Sequence, residues 1–162
     1  MVIRERLRTV VDDHPVAAFF VLAYALSWAV WIPTALGSGG LATAGTIVGS
    51  FGPAVAAAVV LWLDGESVRE WARQIVRWRV APRWYLVVVA LPLVVVGLAS
   101  VGIALLGGDL DLSTLRGRGS MVLASYLIVA LVGGGNEEPG WRGFALPRLQ
   151  ERYAPVAATL LL

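Results

Sequence analysis

The chain has 162 residues, of which 58% are hydrophobic and 15% are charged, and its formal net charge is +2. Typical soluble domains are about 45–50% apolar and about 25% charged, so this composition excludes an ordinary soluble domain and also a disordered chain. The absence of cysteine excludes disulfides, thiolate metal sites and a cysteine nucleophile. The arginines are scattered between apolar segments, which argues against nucleic-acid binding. We therefore expect an integral membrane protein.

Four apolar stretches meet or approach the roughly 20 residues that a membrane-spanning helix needs. Three of them carry no charge, Val16–Leu36, Leu41–Leu63 and Trp84–Leu106, whereas the fourth, Ser120–Gly135, is shorter. A further apolar run, Val156–Leu162, ends with the sequence, and we interpret it as the start of a fifth span in a longer protein. The prediction is an all-α, polytopic membrane helical bundle with four spans plus the start of a fifth.

Arginine counts in the connections predict the orientation of these spans. The N-terminal flank has three arginines, Gly37–Gly40 none, Asp64–Arg83 five, Gly107–Gly119 two beside two aspartates, and the region after Glu138 three. Positively charged connections stay in the cytoplasm, so we expect a cytoplasmic N-terminus and a cytoplasmic Glu138 end of the fourth span. Residues 1–162 then form a single integral membrane domain, which we place in a bacterial cell membrane.

The orientation is tested by labelling single cysteines, because the chain has no native cysteine to react. We expect a membrane-impermeant maleimide to label Ser38→Cys in intact cells. It should label the matched Ser67→Cys variant only after the membrane has been permeabilised, because Ser67 lies in the predicted cytoplasmic connection. Labelling of Ser38→Cys from the cytoplasmic side alone would overturn the orientation.

The long predicted cytoplasmic connection contains an amphipathic pattern. Ser67-Val68-Arg69-Glu70 is a capping box, in which the serine hydroxyl accepts a hydrogen bond from the third backbone N–H of a helix. Apolar residues then recur at helical spacing beside an i, i+4 stripe of arginines. We predict an interfacial helix over residues 67–79, with tryptophan at headgroup depth and arginine toward lipid phosphates. A helix that binds a partner protein is the alternative.

Two further patterns favour structural roles. The spacing Gly45-x-x-x-Gly49, followed by Phe51-Gly52-Pro53, lets membrane helices approach closely. We expect it to pack helices of one chain, with a homodimer face as the alternative. The only histidine, His14, is interpreted as part of an aspartate-capped helix start with Pro15 in the first position, because three consecutive residues cannot converge on one metal ion.

The segment from Asn136 to Gly143 directly follows the fourth stretch and contains ionisable residues. An ionisable residue inside a membrane span usually indicates a function. Glu138 and Arg142 are four residues apart, which predicts an ion pair on one helix face. We expect this pair to be desolvated, so that breaking it would cost about 3–5 kcal/mol. Glu137 points toward the side of Trp141 and stays free, which suits a general base that acts on water.

Pro139 disturbs the helix around these carboxylates, because it lacks a backbone donor and disfavours a helical conformation at the preceding residue. Either the helix kinks, or a new helix begins with Glu138 as its cap and Pro139 in the first position. Both versions leave Glu137 at a break. The alternative interpretation is a juxtamembrane loop whose charges only mark the cytoplasmic interface.

The pattern Glu137-Glu138-x-x-x-Arg142, extended by Trp141-Arg142-Gly143-Phe144 and Leu146-Pro147-x-Leu149, resembles the first motif of the CPBP family. This family comprises the CAAX-type prenyl endopeptidases, also called Abi or lysostaphin-resistance-like intramembrane metalloproteases. Phe51-Gly52-Pro53 and the connection rich in arginine and tryptophan are similar to the N-terminal half of the family.

The resemblance implies a bundle of about eight spans around a cavity open to the cytosol, although a fold by itself does not fix a function. It implies the catalytic residues Glu137, Glu138 and Arg142, with Glu137 activating water for hydrolysis of a peptide or prenylated-protein substrate among membrane lipids. Later family motifs supply histidines that orient the water or bind a divalent metal such as zinc. No histidine follows His14, so we expect the given chain to be inactive alone and its metal ligands to be unknown.

Two other functions stay open from the sequence. One is a non-catalytic membrane protein of the same fold, in immunity or scaffolding, and the other is a transporter segment with a Glu–Arg proton relay. The DNA downstream of Leu162 separates them. Histidine motifs in a continuing frame favour the protease, a stop codon favours the non-catalytic protein, and a repeated set of spans favours the transporter.

Overall fold

A computed structural model describes the following residues of the chain: 8, 11–37, 40–109, 118–128 and 134–162. The regular elements that these residues form are all helices, with no strand among them, which confirms the all-α prediction. The described chain divides into two compact units, one of residues 1–76 with 127–162 and the other of residues 77–126. Each unit is described by itself, and the single membrane domain stays a prediction.

The helices, in chain order, are α1 (Pro15–Ala35), α2 (Gly40–Gly49), α3 (Gly52–Asp64), α4 (Val68–Ile75), α5 (Pro82–Leu105), α6 (Gly119–Ile128), α7 (Glu138–Gly140), the π-helix π1 (Trp141–Ala145), α8 (Leu146–Gln150) and α9 (Pro155–Leu161). Helices α7, π1 and α8 follow one another without a gap. They therefore form one helical segment with a π turn in its middle.

Three helices are long and apolar enough to cross a membrane: Pro15–Ala35, Ala42–Asp64 and Pro82–Leu105. They confirm three of the predicted spans to within two residues at each end. The fourth span is not confirmed, because α6 has only ten residues and residues 129–133 of that stretch lie outside the described residues. The protein is thus a helical membrane protein with three candidate spans among its described residues, and its orientation stays a prediction.

Small residues let α2 pack closely against α1. A methyl group added to Gly45 would lie 2.1 Å from Cγ2 of Thr34, and one added to Gly49 would lie 2.2 Å from Nε1 of Trp31. The same Trp31 Nε1 donates a hydrogen bond of 3.2 Å to the carbonyl of Thr46. The small-residue pattern therefore packs two helices of one chain, as expected.

The second candidate span is interrupted between α2 and α3, at Ser50 and Phe51. Pro53 explains the break, since it has no backbone N–H and its ring clashes with the carbonyl of the residue four positions earlier. The N–H of Phe51 donates to Val48 at 3.2 Å instead of continuing the α-helical pattern. This leaves the carbonyl of Ile47 free to accept from the hydroxyl of Ser50 at 2.8 Å.

Helix α4 begins as predicted but ends early. The Ser67 hydroxyl accepts from the N–H of Glu70 at 3.2 Å, which confirms the cap. The helix ends at Ile75, so the prediction of a helix to residue 79 is wrong. Further along, the N–H of Val80 and the hydroxyl of Tyr85 both donate to the carbonyl of Trp78, an arrangement that replaces helical bonding there.

The apolar face of α4 is partly used inside the protein. Val68 and Trp71 are half-buried and pack against the core of the first unit, whereas the arginines of the helix are exposed. The core that they contact is made mainly by α1, α3 and π1. Binding of α4 to the cytoplasmic surface of the membrane stays a prediction.

The first turn of α1 shows that the interpretation of an aspartate-capped helix start is wrong. His14, not an aspartate, is the N-cap residue, and it makes no side-chain capping hydrogen bond. Its carbonyl accepts from the N–H of Ala18 at 3.0 Å. Pro15 occupies the first helical position, as predicted, because that position needs no N–H donor.

In the second unit, α5 runs for 24 residues without a buried side chain. The hydroxyl of Tyr126 on α6 donates to the carbonyl of Val88 on α5 at 3.2 Å. Such a long, apolar and uncovered surface is typical of a helix that faces lipid.

Candidate functional site

A new helix begins at Glu138, directly after a turn that holds Glu137. Glu137 is the N-cap residue, with φ −85° and ψ −29°. Its carbonyl accepts from the N–H groups of Gly140 at 3.0 Å and Trp141 at 3.1 Å. Of the two predicted versions, the structure has the new helix and not the kinked one, with the cap one residue earlier than expected.

The two neighbouring carboxylates have different partners. Glu138 forms an ion pair with Arg142, while Oε2 of Glu137 accepts a 3.3 Å hydrogen bond from Nε1 of Trp141. The pairing of Glu138 with Arg142 is the i, i+4 arrangement that the sequence predicts. Glu137, in contrast, expected to be free, points toward Trp141 as predicted but also accepts its hydrogen bond. Within the described part of the chain, Oε1 of Glu137 has no hydrogen-bond partner. One carboxylate is thus held by a cation, and the other keeps an oxygen available for a proton.

The ion pair was expected to be desolvated, but the described residues leave it largely uncovered. The side chain of Arg142 is 67% exposed and that of Glu138 is 43% exposed. An exposed pair typically contributes only about 0–1 kcal/mol, because water competes with the interaction. The cost of about 3–5 kcal/mol for breaking a buried pair therefore does not apply to Glu138 and Arg142 if water reaches them.

We expect Glu138→Gln and Arg142→Gln each to change the stability of the protein little. A double-mutant cycle with the two variants should give a coupling energy of about 0.2–1 kcal/mol. Unfolding in a detergent titration measures it. A coupling of several kcal/mol would show instead that the pair is covered in the membrane.

An aromatic cluster from α1 holds Trp141. The ring centroid of Trp141 lies 5.2 Å from that of Phe19, 5.6 Å from Phe20 and 6.1 Å from Tyr24. Phe19 also contacts Phe144 of π1, at 5.1 Å between centroids. Since Trp141 donates to Glu137, the cluster fixes the free carboxylate through the indole ring.

Asn136 is a site residue that the sequence reasoning did not select. Its amide nitrogen donates to the hydroxyl of Ser50 and, at 3.5 Å, to the carbonyl of Ile47. It therefore docks into the break of the second candidate span. The residue is 6% exposed, and among the described atoms its Oδ1 is buried without a partner. A buried acceptor of this kind calls for a donor such as a water molecule.

Gly140 lets the helical segment of α7, π1 and α8 contact the middle of the second candidate span. A methyl group added to Gly140 would lie 2.4 Å from the carbonyl carbon and oxygen of Pro53. Pro53 is eleven residues from either end of the helix Ala42–Asp64, or about 16 Å at 1.5 Å per residue. The carboxylates adjoin the middle of a candidate span, which argues against the juxtamembrane-loop interpretation.

Arg148 ties the C-terminal end of the segment to the rest of the first unit. It forms an ion pair with Glu66 in the turn after α3 and lies 4.0 Å above the ring of Phe144. Its side chain is only 19% exposed. No local spacing connects Arg148 with Glu66, so the sequence alone indicates for Arg148 only a contribution to the orientation of the spans.

The described residues do not by themselves fit a metal site. Among them, no three His, Cys, Asp or Glu side chains come together as ligands. Glu137 and Glu138 are directed at different partners, and His14 lines a cavity with Tyr153. We therefore assign no step to a metal ion.

Comparisons of the chain with protein-family models, with curated proteins and with solved structures found no match. The resemblance to the CPBP family thus stands on the motif residues alone.

Proposed function

We propose that this protein is the motif-bearing part of an intramembrane endopeptidase of the CAAX-processing type, in which Glu137 activates water. One observation carries the proposal: a carboxylate with an unpaired oxygen adjoins the middle of a candidate span. An ionisable group at that depth is costly, by at least about 2.5–3.5 kcal/mol on insertion scales. Such a cost is typical of residues that carry a function.

The exposed ion pair supports access of water to this depth. Glu138 and Arg142 are not covered by the described residues, and charged groups inside a membrane face the bundle interior or a water-filled cavity rather than lipid. We infer that their face lines a hydrated cavity. Hydrolysis inside a membrane needs such a cavity, because water is a reactant.

The chemistry proposed for Glu137 is general-base catalysis. Oε1 takes a proton from a water molecule while the water oxygen attacks the peptide carbonyl carbon, and the same carboxyl group then returns the proton to the leaving amine. Trp141 orients the carboxylate through Oε2. The fixed charges of Glu138 and Arg142 keep a second carboxylate from competing for the same proton.

Residues 1–162 do not contain the later histidine motifs that the resemblance implies, since no histidine follows His14. The function is therefore proposed for the complete gene product. The chain of residues 1–162 alone should not hydrolyse peptides.

The test reconstitutes the complete gene product in liposomes with a quenched fluorescent peptide, either prenylated or not, and with a pH-sensitive dye inside. Release of fluorescence without a change in internal pH would support the protease. A proton flux without cleavage would contradict it and favour the transporter, and neither signal would favour the non-catalytic protein.

A further inference from the structure

A cavity of about 400 Å³ lies in the first unit where two candidate spans end. Its wall contains Pro15, the first residue of α1, and Asp64, the last residue of α3, together with Arg148 and Arg152 from the end of the C-terminal segment. Because one span begins and the next ends here, the cavity lies at the depth of the lipid headgroups.

The cavity is lined by charged side chains of both signs: Asp64, Glu66, Arg148, Glu151 and Arg152. Arg148 is already paired with Glu66. The side chains of Glu151 and Arg152, in contrast, have no ion-pair partner within the described part of the chain. A free guanidinium and a free carboxylate therefore face the same space, which suits a ligand that carries both charges.

A second cavity, of about 270 Å³, continues the first along α1. The two share Pro15, Val16, Arg148 and Arg152 in their walls. The second is also lined by Phe20, which lies further into the span, and by His14 and Tyr153 at the outer end of α1. The second cavity thus adds an apolar wall, which includes Phe20, beside the charged groups, so that the two cavities offer surfaces for both parts of a phospholipid.

We propose that these two cavities bind a phospholipid whose headgroup is a phosphate ester with a primary amine, that is, phosphoethanolamine. Arg152 contacts the phosphate, and Glu151 accepts from the ammonium group, which has three N–H donors. A choline headgroup has no N–H to donate, and a glycerol headgroup carries no positive charge for the carboxylates. The site therefore selects phosphatidylethanolamine over both, and this goes beyond the proposed function.

The experiment uses native mass spectrometry of the full 162-residue chain in detergent, with the three lipids in competition and their acyl chains identical. We expect phosphatidylethanolamine to be retained over phosphatidylcholine and phosphatidylglycerol by about tenfold, the effect of one or two charge-assisted hydrogen bonds. Glu151→Gln should remove most of that preference, whereas Arg152→Gln should weaken the retention of all three lipids, because each of them carries the phosphate. Arg69→Gln, an exposed arginine on α4 outside both cavities, should leave it intact.

Equal retention of the three lipids, a preference that survives Glu151→Gln, or an Arg152→Gln variant that retains the lipids as well as the unmodified chain would overturn the proposal. A preference for phosphatidylglycerol would also overturn it, since the site would then bind anions only. Soluble phosphoethanolamine should displace the lipid, whereas inorganic phosphate at the same concentration should not. Displacement by inorganic phosphate as strong as that by phosphoethanolamine would show that the site recognises the phosphate and not the amine, and would overturn the proposed selectivity. None of these readouts needs peptide hydrolysis, so the test of the lipid site does not depend on whether the protein is a protease.

Discussion

Replacing Glu137 by glutamine is expected to abolish peptide hydrolysis by the complete gene product, with a loss of about 10²–10⁴-fold or more, the usual contribution of a general base. Glutamine has nearly the size of glutamate and still accepts from Nε1 of Trp141, so expression and folding should be almost unchanged. The rate of cleavage in liposomes and the amount of folded protein measure the two effects separately.

The matched control is Glu70→Gln, which removes a carboxylate from the exposed surface of α4 and preserves a residue type that fits a capping box. This variant should cleave at the unmodified rate. A Glu137→Gln protein that still cleaves would remove Glu137 from the role of base. Cleavage by residues 1–162 alone would likewise show that the histidines implied by the resemblance are not needed.

Replacing Gly140 by alanine is expected to destabilise the protein by about 1–3 kcal/mol, the usual cost of forcing a methyl group into a packed site. The added carbon would lie 2.4 Å from backbone atoms of Pro53, and a backbone cannot move aside as a flexible side chain can. The helical segment would have to shift away from α3. Thermal unfolding in detergent should show a fall in Tm of several degrees.

The control for this substitution is Gly97→Ala in the middle of α5, where an added methyl group has no heavy atom within 4 Å. It makes the same chemical change within a helix, and it should be neutral or stabilise by up to about 1 kcal/mol through helix propensity. Equal effects of the two substitutions would contradict the close contact between Gly140 and Pro53.

The sequence predicted those parts of the structure that depend on local spacing. Uninterrupted apolar runs placed three candidate spans to within two residues, and the capping box placed the start of α4. A spacing of four residues predicted that Arg142 is the partner of Glu138. Helix geometry also predicted that Glu137 points toward Trp141. All of these follow from helix geometry, which needs no knowledge of the rest of the fold.

Contacts between distant residues were not predictable in the same way. Asn136 and Ser50 are 86 positions apart, and Arg148 and Glu66 are 82 apart, so no periodicity connects them. The exposure of the Glu138–Arg142 pair likewise depends on what surrounds it. The break at Ser50 did have a local signal in Pro53, although an apolar run of span length concealed it.

The π turn at Trp141–Ala145 has a consequence for how relatives of this protein can be found. The N–H of Leu146 donates to the carbonyl of Trp141, five positions back, so the turn holds one residue more than an α-helical turn. A homologue with an ordinary helix here would be one residue shorter between the glutamate pair and Leu149. Sequence comparisons should therefore allow a one-residue gap at this point, because an ungapped alignment would match either the carboxylates or the buried residues after them, and not both.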